Sequence, residues 1–162
     1  AVAAYLHGNG RRRPAVVAGD DERALRRTDA FRAAAHALGM AETRVVAVPA
    51  PTTLKSGRLA LAALLRESND IDAGFCSSDL LALGVMTEAR VQGLKVPQQL
   101  AVVGFGDLAF AADLDPALST VRIRGDAIGR QAAMFIVDRV EGREVPERVI
   151  DIGFSIIQRQ SG

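Results

Sequence analysis

Residues 74–84, Gly74-Phe75-Cys76-Ser77-Ser78-Asp79-Leu80-Leu81-Ala82-Leu83-Gly84, decide how this chain folds. A short apolar run ends in two serines and an aspartate, and leucines resume at once at helical spacing. A strand that passes straight into a helix sets hydroxyls and a carboxylate beside the unpaired N–H groups of the first turn. Such a junction is a helix cap or the floor of a ligand pocket. Which reading is better depends on the rest of the chain.

The pattern recurs along the chain. After a short helix at Val2–Gly8, Pro14–Ala18 reads as a buried strand, followed by the polar loop Gly19–Glu22. A helix from about Arg23 to Leu38 comes next, with Leu25, Thr28, Phe31, Ala35 and Leu38 on one face. Arg44–Val48 is a second strand, running into the irregular loop Pro49–Thr53, and Lys55–Arg66 is a helix. Ala73–Cys76 leads into a helix over Asp79–Gln92, stopped by Gly93. Leu100–Gly104 is a fourth strand with the loop Phe105–Asp107 behind it. Ser119–Ile123 is a short strand and Asp126–Val140 a long helix, and Arg148–Ile152 and Phe154–Gln158 alternate like antiparallel or edge strands. Apolar strands separated by helices are parallel β-α-β units, and right-handed crossovers give an α/β fold: an open, mostly parallel sheet with helices on both faces.

Composition bounds the function. The 162 residues suit one domain or one full lobe of something larger, and 49% hydrophobic residues allow a sizeable core. A net charge of +1 argues against a dedicated nucleic-acid surface. The lone Cys76 excludes an intrachain disulfide and fits a reducing compartment. No apolar run approaches the roughly 20 residues of a membrane span. The start has its basic cluster, Arg11-Arg12-Arg13, after the apolar part, the reverse of a signal peptide, and it lacks Met, so the chain reads as a fragment.

Ligands of open parallel sheets bind beyond the carboxyl ends of the strands. The four strand-exit loops there hold Asp20 and Asp21; Thr52 and Thr53; Ser77, Ser78 and Asp79; and Asp107. Each residue alone reads as a helix cap. Together they form a rim of hydroxyls and carboxylates that suits a polyhydroxylated molecule. Arg27, two turns into its helix, is placed to offer a bidentate fork to hydroxyls or a carboxylate. Enzyme chemistry fits poorly. Gly104-Phe105-Gly106-Asp107 lacks the third glycine of a dinucleotide loop, no phosphate-binding P-loop occurs, and His7 and His36 fall in helices away from the strand exits. No metal, cofactor or catalytic residue is expected. Cys76 reads as a small core hydrophobe and the arginine triplet as a solvated edge.

Gly74–Asp107, GFCSSDLLALGVMTEARVQGLKVPQQLAVVGFGD, closely resembles the signature of the lactose-repressor (LacI/GalR) family of bacterial transcription regulators. Arg12-Arg13, Arg27 followed by Ala30-Phe31, the run Asp115–Val121 and Ile128-Gly129 extend the resemblance over essentially the whole chain. It implies a lobe of the type I periplasmic-binding-protein kind, in which two lobes clamp a small effector and closure switches DNA affinity. The C-terminal lobe would comprise residues about 10–120 and 145–162. The helix at about 124–141 would belong to the crossover towards an N-terminal lobe outside this chain, as would the DNA-binding helix-turn-helix. By the same resemblance, Arg27, Thr52, Ser78, Gly106 and Asp107 match effector-contacting positions, with Asp21 beside them. Thr52 stands where a bulky aromatic often stacks on a sugar, and Gly106 where many members have an Asp. Both departures, with Arg27 kept, favour an anionic sugar over a stacked neutral pyranose. The segments VPAPTTL, FCSSD and GFGDL are similar to those of gluconate-utilisation repressors. The resemblance further implies a cytoplasmic homodimer joined through Leu83, Met86 and the segment around Phe110, binding operator DNA and no membrane. The rival reading is an extracytoplasmic sugar-binding protein of a transport system, which shares the fold.

Overall fold

The computed structural model describes residues 1–67, 70–144 and 149–162. Six strands form one sheet: β1 (Pro14–Gly19), β2 (Arg44–Val48), β3 (Ala73–Cys76), β4 (Ala101–Phe105), β5 (Ser119–Ile123) and β6 (Phe154–Ile157). Their order is β2-β1-β3-β4-β5-β6, with every pair parallel except β5–β6. This is the expected open parallel sheet with an antiparallel edge strand. Among the described residues the helices are α1 (Val2–Gly8), α2 (Glu22–Ala37), α3 (Leu54–Glu67), α4 (Asp79–Val91) and α5 (Gly125–Val140), with a 3-10 turn at Ala109–Ala112.

Strand alternation divides the core in two. Val16, Ala18, Phe75 and Val103 point to α1 and α2, where Leu6, Phe31 and Ala35 meet them. Ala15, Val17, Cys76 and Val102 point to α3 and α4, against Leu61, Leu64, Leu81 and Val85. The central strands are buried on both faces, so they read as unbroken apolar runs. α3 and α4 cross at two glycines. A Cβ on Gly84 would lie 2.2 Å from the Leu54 carbonyl oxygen, and one on Gly57 2.3 Å from that of Leu81. Beside the crossing, Arg58 pairs with the buried Glu88 at 3.0 Å.

Three expectations change. Leu25 is 49% exposed; the inward stripe of α2 runs through Ala24, Thr28, Phe31 and Ala35, because the small Ala24 is the residue that meets the sheet. No strand forms over residues 149–152, where Val149 is 88% exposed and has no neighbouring strand to pair with; Arg148 lies outside the described residues. The arginine triplet is more than a solvated edge. Arg11 donates to the Pro97 and Gln98 carbonyls, and Arg13 pairs with Asp72, which also caps the backbone N–H groups of Arg12 and Arg13.

The last residues act as a strap. The Ser161 hydroxyl donates to the Val102 carbonyl at 2.7 Å and accepts the Ser119 N–H at 2.8 Å, bolting β4 to β5. α5 has no buried residue. Its Met134, Ile136, Val137 and Val140 are exposed, and one side, with Ile128 and Phe135, faces residues 150–153 across a hollow of about 410 Å³.

Candidate functional site

The strand order reverses between β1 and β3, and in such sheets that is where a crevice opens beyond the carboxyl ends. At this point Gly19 ends β1 and donates its N–H to the Ser77 hydroxyl at 3.0 Å. A Cβ on Gly19 would sit 3.1 Å from Thr52 Cγ2 and 3.2 Å from Asp21 Oδ2, so glycine lets three exit loops meet. The Thr52 and Ser78 hydroxyls approach to 3.4 Å. The structure therefore brings Asp21, Thr52 and Ser78 together.

Several of these residues are also caps. Asp21 accepts from the Arg23 and Ala24 N–H groups, and Ser78 accepts from Leu81 N–H, each at the first turn of its helix. Asp20 accepts the Ala50 N–H at 2.9 Å and ties the first two loops. Asp79 is fully buried, taking the Thr120 hydroxyl at 2.5 Å and the Leu108 N–H at 2.7 Å. Cap and pocket are thus not exclusive: one oxygen serves the helix while the residue stays on the rim.

Asp107 differs from the expectation of a free rim carboxylate. Its Oδ2 accepts from Arg122 Nε at 2.5 Å and its Oδ1 from Arg159 at 2.7 Å. Burial opposes its ionisation, but the hydrogen bonds and charges of Arg159 and Arg122 outweigh that and hold the carboxyl below its usual range. The charge is spent inside the lobe, joining the exit loop of β4 to β5 and to the strap. Gly106 has φ 131° and Asp107 φ 54°, the local turn that brings this carboxylate round. Gly104 is required for a separate reason: a Cβ there would lie 2.2 Å from Asp79 Oδ1.

Arg27 is half-buried, and its guanidinium lies 3.8 Å from the centroid of the Phe105 ring. Among the described residues it has no hydrogen-bond or ion-pair partner. Burial lowers its pKa, the nearby Asp21 opposes this and Arg23 adds to it; an arginine stays cationic at neutral pH nonetheless. Beneath it a cavity of about 250 Å³ is lined by Phe31, Phe75, Phe105, Val121 and Phe154. Sequence reasoning missed Phe105, which it took only as part of a glycine loop, and missed Arg122 and Arg159 altogether.

The residues expected at a dimer interface lie elsewhere. Leu83 is half-buried and Met86 is buried, both edging a hollow of about 660 Å³ with Thr87, Leu94, Asp113 and Leu114. Met86 belongs to the α3–α4 core cluster. Phe110 is half-buried in the 3-10 turn. Cys76 is fully buried, and burial with the neighbouring Asp79 pushes its thiol pKa up, in keeping with a core role. No group of three His, Cys, Asp or Glu able to hold a metal occurs among the described residues, and no helix among them is long and apolar enough to cross a membrane.

Residues 3–162 match the family described as periplasmic binding protein-like domain. The HTH-type transcriptional regulator GntR of Pseudomonas aeruginosa is 36% identical over 163 residues, covering 99% of this chain and 48% of its own length. The crystal structure of the transcription regulator GntR from Chromobacterium violaceum superposes with a TM-score of 0.91 at 33% identity, covering 99% of this chain and 60% of that one. A regulatory protein of the LacI family from Chloroflexus aggregans superposes at 0.89 with 30% identity, covering 99% and 58%. The chain thus spans about half the length of the curated relatives it matches. Those relatives are HTH-type transcriptional regulators or repressors. The chain belongs to the periplasmic-binding-protein-like domain family, in the form found in LacI-family transcription regulators.

Proposed function

We propose that this chain is the C-terminal half of the effector-sensing domain of a cytoplasmic bacterial repressor, and that its effector is a sugar acid of the gluconate class. One observation carries the ligand class: Arg27 has no hydrogen-bond or ion-pair partner among the described residues, while the carboxylates of the strand-exit loops are engaged elsewhere. Asp20 and Asp21 accept backbone N–H groups, Asp79 is buried, and Asp107 answers two arginines. A neutral sugar would leave that guanidinium without a counter-charge in a partly desolvated place, whereas a carboxylate fills its fork. Thr52 and Ser78 supply hydroxyls for the polyol part, and Gly106 keeps a further negative charge off the rim.

In this reading a second lobe, outside the chain, supplies the other wall of the cleft. Residues about 10–120 and 145–162 form the present lobe, and α5 crosses towards the partner lobe, a role supported by its lack of any buried residue. Effector contact with both lobes favours the closed arrangement and shifts a two-state population. A DNA-binding head beyond this chain reads the operator. The hollow edged by Leu83 and Met86, with Phe110, serves a homodimer.

The test is calorimetric titration of the intact protein with gluconate, other aldonates and neutral hexoses. Aldonates are expected to bind, and Arg27→Ala is expected to remove that binding without lowering the melting temperature. A neutral hexose that binds far more tightly than any aldonate ends the sugar-acid reading.

A further inference from the structure

We infer that Phe105 is the positioning residue that holds Arg27 ready for an anionic effector, and so sets the preference for acids over neutral polyols. The inference rests on the reading of Arg27 as the effector's grip.

The guanidinium lies 3.8 Å above the Phe105 ring and has no polar partner among the described residues. A free arginine side chain loses substantial rotamer entropy when a ligand fixes it. The ring meets part of that cost beforehand, because its negative face attracts the cation without using any of its N–H donors. All five donors stay available for the ligand. A carboxylate partner would fix Arg27 equally well, but it would consume the fork and cancel the charge.

Such a carboxylate is close by. Asp21 attracts Arg27, and Arg23 repels it. Without the ring, the guanidinium is left to swing between Asp21 and water. With it, the cation rests on a surface that does not compete with a carboxylate ligand.

The platform is itself immobile, and each residue around it has a part in that. Phe105 is in register with Val121 in the β4–β5 ladder, and the next residue, Gly106, donates to the Val121 carbonyl at 2.9 Å. Asp107 is clamped by Arg122 and Arg159. On the other side, Gly104 lets the strand lie against Asp79, with no room for a Cβ. The four residues Gly104–Asp107 thus form a braced mount for one aromatic face. This gives the glycines of that loop a structural reason.

The experiment measures gluconate and sorbitol affinities of the intact protein by calorimetry for Phe105→Leu, Phe105→Tyr and Arg27→Ala. Sorbitol matches the polyol chain and lacks the carboxylate. Phe105→Leu keeps an apolar side chain and removes the ring; about five- to tenfold weaker gluconate binding is expected, with sorbitol binding unchanged, so the acid-to-polyol ratio falls. Phe105→Tyr restores the ring and the ratio. Equal weakening of both ligands means a merely structural role and overturns the inference. So does a Phe105→Leu protein that binds gluconate like the parent while Arg27→Ala does not, and in that case the proposed effector class survives. Unchanged gluconate binding by Arg27→Ala overturns both. If Phe105→Leu does not fold, the parent decides by NMR: an Arg27 Nε–H resonance moved upfield by the ring current supports the stack, and a random-coil position overturns it.

Discussion

Asp107 holds a left-handed backbone and places one carboxylate between two guanidiniums, Arg122 and Arg159. Its side chain is 10% exposed, so the pair with Arg159, itself 16% exposed, is little screened, while the Arg122 pair is half in water. Asp107→Asn is expected to cost about 2 kcal/mol at neutral pH, measured by urea denaturation. The carboxyl is held below its ordinary value in the folded state. Its contribution is therefore complete above the unfolded pKa of about 4 and is lost as pH falls through the lower folded value. The difference between parent and variant should accordingly shrink in acid and stay flat from pH 6 to 8. The caps at Asp21 and Ser78 were legible in the sequence, because their partners lie within three residues. The Asp107 clamp was not, since its arginines lie 15 and 52 residues away, one on β5 and one just after β6, and nothing local marks the contact. The stack of Arg27 on Phe105 was hidden for the same reason: it joins α2 to the end of β4.

At the scale of elements, hydrophobic period and breaker residues placed every strand and helix of the lobe within one or two residues, because β1, β3 and β4 are buried on both faces and each helix is amphipathic. The failures have local causes. The apolar alternation over residues 148–152 met no neighbouring strand, so it stayed irregular where the structure describes it. Leu25 fitted the helical stripe, yet Ala24 took the inward place. Met86 sits in the α3–α4 contact, which is closer than a leucine-rich pattern suggests because Gly57 and Gly84 let the backbones touch. Nothing in the sequence marks those two glycines as a pair. Gly84→Ala would press a methyl onto the Leu54 carbonyl oxygen and onto Gly57 Cα at 2.9 Å, both backbone atoms that cannot step aside. It should destabilise the lobe by about 2–3 kcal/mol, although alanine is the better helix former by about 1 kcal/mol. A thermal melt above that of the parent would show that α3 and α4 are not in contact as described.

Across the whole molecule the contrast is between a closed body and an unclosed appendage. Residues 1–123 and the strap surround two cores, whereas α5 exposes Ile136 at 66% and Val140 at 82%. A helix with an apolar side and no buried residue belongs against something else. If α5 docks on a second lobe, Ile136→Asp should destabilise the intact protein by 2 kcal/mol or more, the ordinary cost of placing a charge in a packed contact. The same change in the 162-residue chain should leave its melting temperature within 1–2 °C of the parent, because nothing there covers the side chain. Equally small effects in both would place α5 in water throughout. The helix was legible from its period; its crossing to a second lobe is what the resemblance implies, and its lack of burial is visible only in the structure.

The strap has a consequence for how the protein is made. Phe154–Gly162 leaves the ribosome after every residue of β1–β5, yet it supplies the β6 edge, the Ser161 bolt between β4 and β5, and one of the two arginines around Asp107. During translation the nascent chain carries a finished β1–β4 layer whose far margin is still open, with the Val102 carbonyl and the Ser119 N–H unmet. The mount beneath Arg27 is therefore fully braced only once this segment has been made. The aromatic platform thus gains its last support only after the sheet around it has emerged.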